Sequence, residues 1–427
     1  MARGGARGYV KRVRIDILTR EYPPNIYGGA GVHVAELTRA LRAIEEMEVQ
    51  VRAFDEPEDE PGTTGYAVPE DLADANGALR TLGVDLLMAR DVADGGADLV
   101  HSHTWYANLG GHLGGALAQI PHVVSAHSLE PLRPWKAEQL GGGYAVSSMA
   151  EKVSYEGAAG IIAVSAGMRR DILAAYPTVD PDRVHIVHNG IDADLWQRDT
   201  SAEAAEFVRS QGLDPQARTV VFLGRITRQK GLPFLLKALR ALDDDVQVVL
   251  LAGAPDTEEI KAEVIGLVDQ LREDRGEQAA PVVWIDEMLP RAKVIAVLSH
   301  ATVFMCPSVY EPLGIVNLEA MACGAAVVAT ATGGIPEVVV DGETGWLVPI
   351  EQVQDGTGTP VDEDAFVADL GRALVEACSD PQEARRRGEA GRVRAVEQFS
   401  WTTVAQRTVE VYRAVLEGRA PDLPEPR

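Results

Sequence analysis

The sequence has few of the residues that build disulfide scaffolds, metal clusters or membrane spans. Its 427 residues include only three cysteines, Cys306, Cys323 and Cys378, at spacings that suit neither a disulfide framework nor a metal-ligand set. Cys306 and Cys323 stand in apolar stretches and read as small buried hydrophobes in a reducing, cytoplasmic enzyme. No run approaches the roughly 18 consecutive apolar residues of a transmembrane helix, so no membrane span is expected. Basic residues are also in deficit: 40 Lys and Arg against 64 Asp and Glu give a formal net charge of −24. That balance makes nucleic acid and anionic membranes poor partners, and an anionic substrate needs a local basic pocket. The basic segment Met1 to Arg14 precedes an apolar run too short for a signal-peptide core and reads as a frayed leader.

With 46% hydrophobic residues, the chain is long enough for two cores and two to three domains. Short apolar runs alternate with helical patterns from end to end, the signature of parallel α/β sheets covered on both faces. The expected strands are 13–18, 49–54, 98–101, 122–126, 160–164 and 184–187, then 219–223, 246–252, 282–285, 302–306 and 326–329. Regular apolar periodicity lapses between Asn189 and Pro215, which marks a linker between two similar architectures in series. The acidic runs at 45–48 and 55–60 read as solvated surface. Asp243-Asp244-Asp245 falls where a helix hands over to a strand and fits a polar turn better than a metal site.

Four stretches carry chemistry. Glu311 and Glu319 lie eight residues apart around a proline–glycine turn that opens a predicted helix, Ile315 to Ala322. The free N–H groups at such a helix start suit an anion. Two helical glutamates at this spacing would sit about 12 Å apart, which favours two separate contacts over a carboxylate dyad. Taken alone, the pair fits a solvated amphipathic helix as well. The first strand leads into a loop containing Gly28-Gly29-Ala30-Gly31 ahead of an amphipathic helix. Its length and spacing are not the dinucleotide fingerprint, but Gly28 and Gly29 are candidates for close approach to a diphosphate. Arg225 and Lys230 follow the first strand of the second half, the edge at which open α/β sheets bind ligands, and together they can neutralise a leaving diphosphate. His127 ends another strand beside Arg133 and Lys136, which are candidates for a negatively charged acceptor. His101 and His103 are spaced i, i+2 without an evident third ligand, so no metal site is expected there.

With Glu311/Glu319, Arg225/Lys230, the glycine loop and His127 in this order, nearly the whole chain resembles the retaining glycosyltransferases of GT-B architecture. The wording from Glu21-Tyr22-Pro23-Pro24 to Gly28-Gly29-Ala30-Gly31-Val32-His33 is similar to their short bacterial glycogen synthase branch. The resemblance implies two Rossmann-like doubly wound domains facing across a cleft. Residues 1–197 would form an acceptor domain, completed by a C-terminal helix within 402–427, and residues 198–401 the nucleotide-sugar donor domain. It implies metal-independent, retaining transfer of glucose from ADP-glucose to glucose-1-phosphate, giving α-maltose-1-phosphate, or elongation of α-1,4-glucan, with no cofactor. Glu311 would contact the donor glucose and Glu319 the ribose, while Arg225 and Lys230 hold the diphosphate. Backbone N–H groups of Leu313, Gly314 and Ile315 would meet sugar and phosphate, Gly29 would approach from the opposite domain, and His127 would bond the transferring glucose. Thr104, Arg133 and Lys136 would face the acceptor. Two positions depart from relatives: Thr104 stands where the longer glycogen synthases have aspartate, and Leu313 where many have phenylalanine. The preference for ADP over UDP rests on likeness alone, and a homodimer is compatible with it. Other readings are a GT-B transferase using UDP-glucose with another acceptor, a sugar-nucleotide epimerase or phosphorylase of the same architecture, and a catalytically silent sugar-binding protein.

Overall fold

The computed structural model describes residues 12–57, 59–133, 141–353, 355 and 357–423. The leader as far as residue 11, and Lys136, lie outside the described residues. The first sheet contains β1 (Val13–Thr19), β2 (Met47–Phe54), β3 (Thr63–Tyr66), β4 (Leu99–His103), β5 (His122–Ala126), β6 (Gly160–Ala163) and β7 (Val184–Ile186). The second contains β8 (Thr219–Arg225), β9 (Gln247–Gly253), β10 (Val282–Ile285), β11 (Val303–Cys306), β12 (Ala326–Thr330) and β13 (Gly345–Val348). Their orders are β3-β2-β1-β4-β5-β6-β7 and β10-β9-β8-β11-β12-β13, and every strand pair is parallel. Ile15 pairs in register with both Val49 and Leu99, and Ile15, Ile17 and Leu18 are wholly buried, as expected for a strand covered on both faces.

The strand order reverses direction between β1 and β4 in one sheet and between β8 and β11 in the other. At such a switch point the loops leaving the carboxyl ends of the two central strands diverge to opposite faces and leave a crevice. Each sheet thus offers one crevice; the glycine loop, Thr104, the Arg225–Lys230 turn and the Glu311 loop emerge from these four strands, and His127 from the neighbouring β5.

Two strands were not expected. β3 holds Thr-Thr-Gly-Tyr with only Tyr66 buried, so it shows no apolar alternation, and β13 begins on a glycine directly after the Gly342–Thr344 turn. The polar stretch after Asn189 contains a helix, Ala202–Ser210, capped by the Ser201 side chain. It buries only Ala204 and Val208, too thin an apolar stripe to stand out in sequence. The acidic run at 55–60 is not all solvated surface, because Glu60 accepts from the Tyr22 hydroxyl at 2.6 Å and pairs with Arg42 at 2.5 Å. Asp243 and Asp245 pair with Arg218, which settles that cluster as a polar turn.

After the second sheet the chain returns to the first. Ile191 N–H donates to Phe399 O at 2.7 Å, and the helix Trp401–Glu417 follows, capped by Ser400 and ended by Gly418 in the left-handed conformation. Trp401, Val404, Val409, Val411 and Tyr412 enter the core built on Ile15, Val34 and Leu37. Each such side chain contributes roughly 1.5–3 kcal/mol of gross burial. Tyr412 also reaches inward to His101, with 2.7 Å between its hydroxyl and Nδ1, and His101 Nε2 contacts Ser125 Oγ at 2.8 Å.

Candidate active site

The second crevice gathers the donor-side residues. β8 ends at Arg225, and the short turn Arg228–Lys230 is capped by Thr227 and tied to the β11 loop, where Val309 N–H donates to Gln229 O at 2.9 Å. This coupling brings Lys230 Nζ to 2.6 Å from Glu311 Oε2. Ser308 Oγ donates to the same oxygen at 3.2 Å. Burial works to lower the Lys230 ammonium, but the Glu311 carboxylate outweighs it and leaves the lysine above its ordinary pKa, firmly charged. Glu311 precedes the helix Ile315–Ala322, and Glu319 lies one turn inside it, so the two glutamates are not a helical pair. Gly314 connects them at φ 97°, and a Cβ there would stand 2.5 Å from Asn317 Nδ2, so this turn needs glycine. Burial lifts the Glu319 carboxyl to about 8, against the pull of Arg291 and Lys230. Arg225 is half exposed and held at 2.6 Å by Asp256, a partner from the loop after β9 that sequence reasoning missed. Its signal was the adjacency of β8 and β9, which any α/β sheet model would have offered.

The first crevice presents the opposite wall. Glu21 accepts from the N–H groups of Tyr27 and Gly28 at 2.8 and 2.9 Å, so the Gly28 amide is already engaged by this chain's own carboxylate. Gly29 opens the helix Gly29–Arg42, and a Cβ on it would lie 3.5 Å from Ile315 Cδ1 of the donor helix. That contact brings the two crevices face to face. Thr104, at the end of β4, adopts φ 63° and ψ 159°, a region that a β-branched residue enters only under strain. Such strain concentrates at functional sites. His127 follows β5, and its Nε2 lies 2.9 Å from His103 Nδ1. Burial pushes His127 down to about 4, so its ring is neutral near pH 7. His33, about one turn into the helix that Gly28 caps, stands edge-on to His127 with ring centroids 4.7 Å apart. His101, by contrast, is spent on Ser125 and Tyr412 and belongs to the core. Arg133 is half buried and donates to Ser128 Oγ at 3.1 Å.

The two walls are locked together near the donor helix. Glu337 accepts from the Ala166 and Gly167 N–H groups at 2.9 and 3.1 Å, at the start of the helix Ala166–Ala175, and lies 2.9 Å from His188 Nε2. Burial alone would raise the Glu337 carboxyl, but His188 and the two N–H groups hold it below its usual range. Ser165 Oγ donates to Pro312 O at 2.6 Å, one residue from Glu311. Neither Glu337 nor Ser165 was singled out from the sequence. Their function depends on a contact across more than a hundred residues that no local pattern signals.

Residues 27–195 match the family described as Glycosyltransferase Family 4, and residues 203–359 match Glycosyl transferases group 1. Alpha-maltose-1-phosphate synthase of Mycolicibacterium smegmatis is 50% identical over 405 residues, covering 94% of this chain and 100% of that protein. The protein of the same description from Mycobacterium tuberculosis is 49% identical over 403 residues, again covering 94% of this chain and 100% of the relative. Among solved structures, sucrose-phosphate synthase from Thermosynechococcus elongatus superposes with a TM-score of 0.73 at 23% identity, over 95% of this chain and 100% of that one, a likeness of fold. The two facing parallel sheets and these matches lead to one conclusion: this chain is an enzyme of the GT-B glycosyltransferases and belongs to the family of the α-maltose-1-phosphate synthases.

Proposed function

We propose that this enzyme is a retaining glucosyltransferase that moves glucose from ADP-glucose to glucose-1-phosphate, yielding α-maltose-1-phosphate, and that it extends α-1,4-glucan as a secondary activity. The observation that carries the proposal is the buried Lys230–Glu311 pair at the donor helix, set opposite Gly29 and the neutral His127. Identity of about half over almost the full length to proteins described as α-maltose-1-phosphate synthases supports the choice of acceptor.

In this reading, Lys230 and Arg225 receive the diphosphate, and their charge stabilises it as the C1–O bond of the donor breaks. Glu311 and Glu319 position the glucose hydroxyls and the ribose, respectively. Backbone N–H groups at Leu313, Gly314 and Ile315 complete the cradle, with Gly29 closing it from the other wall and Gly28 acting through its bond to Glu21. A neutral His127 suits the developing positive charge at C1, because an imidazolium there would oppose it. The acceptor attacks from the face the diphosphate leaves, and its proton passes to the departing phosphate oxygen, so the α configuration is kept without an enzyme nucleophile. Thr104, Arg133 and Lys136 are assigned to the acceptor. The positive charge that offsets the diphosphate comes from Arg225 and Lys230, and the proposal includes no cofactor. The domain division at 197/198, with the returning C-terminal helix completing the first domain, and a cytoplasmic setting are part of the same proposal.

The test supplies purified enzyme with ADP-glucose or UDP-glucose, each with glucose-1-phosphate or glycogen, and identifies the products by mass. Highest kcat/KM for ADP-glucose with glucose-1-phosphate supports the reading. Conversion of the nucleotide sugar without acceptor would replace it with an epimerase.

A further inference from the structure

We infer that His33, His103 and His127 form a binding site for one divalent transition-metal ion of the Zn2+ type on the floor of the cleft, where its occupancy excludes the sugar. The three side chains come from the helix Gly29–Arg42, the end of β4 and the residue after β5. One ring nitrogen from each lies within 4.8 Å of the other two. The ring centroids are 5.5 Å apart for His33–His103, 4.7 Å for His33–His127 and 5.2 Å for His103–His127. A zinc–nitrogen bond of about 2.05 Å plus about 1.1 Å to the ring centre puts each centroid about 3.2 Å from the ion. A tetrahedral angle then spaces two centroids by about 5.2 Å. The backbone has therefore already placed the rings at tripod spacing, and ring rotation is what remains.

The second observation is unmet polarity. Neither His33 Nδ1, His33 Nε2 nor His103 Nε2 has a hydrogen-bond partner among the described residues, although His33 is only 2% exposed and His103 fully buried. Buried polar atoms rarely go unsatisfied, and three on one small cluster point to a ligand. Trp401 covers the His33 ring edge-on at 5.3 Å. Metal binding breaks the 2.9 Å His103–His127 contact and requires a tautomer change in that pair. An all-imidazole set selects Zn2+, Cu2+, Ni2+ or Co2+ over Mg2+ and Ca2+. No carboxylate belongs to the set, so the fourth position falls to water from the cleft, and the ion acts as a reversible inhibitor rather than a permanent part of the fold.

Binding of the ion stands on the histidines alone; the inhibition rests on the proposed contact between His127 and the transferred glucose. The chelator-treated full-length protein is titrated with Co2+ and read by visible absorption, then Zn2+ is added to the transferase assay. One Co2+ per chain should give the intense bands of four-coordinate cobalt, and Zn2+ should displace it. Zn2+ should inhibit, EDTA should reverse the inhibition, and Mg2+ should do neither. His33→Gln and His103→Asn, both checked by thermal melting, should each weaken the metal by at least about 10-fold. Absence of the bands, or bands unchanged in both folded variants, overturns the site. Bands without Zn2+ inhibition overturn the overlap with the sugar and leave the transferase reading to its own test.

Discussion

Replacing Lys230 with alanine removes the one ammonium that touches Glu311 among the described residues. The pair is 2.6 Å long, with 19% of the lysine side chain and 9% of the glutamate side chain exposed, so solvent screens it little. After the change, Ser308 Oγ at 3.2 Å is the side-chain partner left to the carboxylate. Two costs follow. Stranding one member of a buried pair destabilises by up to about 3–5 kcal/mol, and residual exposure of both groups places this pair toward the lower end. Losing a charged donor aimed at a leaving diphosphate costs about 2.7–4 kcal/mol of transition-state stabilisation, or roughly 100- to 1,000-fold in rate. The lysine pKa is raised in the fold, so the stabilisation from the pair is fully present below the unfolded value near 10.4 and fades as pH rises through the folded one. An assay at pH 7.5 thus tests the intact pair. The measurement is kcat/KM for release of ADP from ADP-glucose with saturating glucose-1-phosphate, alongside a melting curve. Lys230→Ala should remain folded and lose at least about 100-fold, with Lys230→Arg falling between. A folded Lys230→Ala within about three-fold of the parent refutes the assignment of Lys230 to the diphosphate.

Other perturbations separate the remaining roles. Glu319 sits near 8, so if its carboxylate binds ribose, the donor KM should fall as pH rises from 7 to 9, and Glu319→Gln should abolish that slope. His127→Ala should lower kcat by roughly 100-fold, and because the parent ring is neutral above about pH 4, kcat should show no histidine inflection between pH 5 and 7. Thr104→Gly releases the strained φ and should stabilise the protein by about 1–3 kcal/mol in denaturant titrations, while raising the acceptor KM more than the donor KM. Glu337→Ala removes the His188 contact and two N–H bonds between the walls, and small-angle scattering should report a larger radius of gyration with kcat reduced. Glu337 has a lowered pKa, so its contribution is present above the unfolded carboxylate value and is lost as pH falls through the folded one.

The sheets were legible because buried parallel strands are apolar runs, and β9, β11 and β12 each announce themselves that way. β3 and β13 were not legible, since one carries threonine and glycine at a sheet edge and the other starts on a glycine. The donor side was readable in one dimension: Glu311, Gly314 and Glu319 share one segment, and Lys230 follows a strand end. What the sequence could not give is which partners each residue keeps. Glu21 occupies the Gly28 amide, Asp256 holds Arg225, and Glu337 ties the walls together. The Arg225 pairing depends on which strands become neighbours and the Glu337 pairing on how the two sheets meet, while the Glu21 bond depends on how one loop folds back on itself. The histidines show the same limit. The spacing of His101 and His103 offers no third ligand, whereas the fold engages His101 with Ser125 and Tyr412 and brings His33 and His127 to His103.

Front-face transfer within one cleft is read directly by the anomeric configuration of the product. Proton NMR of the reaction of ADP-glucose with glucose-1-phosphate should show a new α-glycosidic anomeric signal appearing in step with ADP release. A β-linked product, or release of free glucose in place of a disaccharide phosphate, would contradict it.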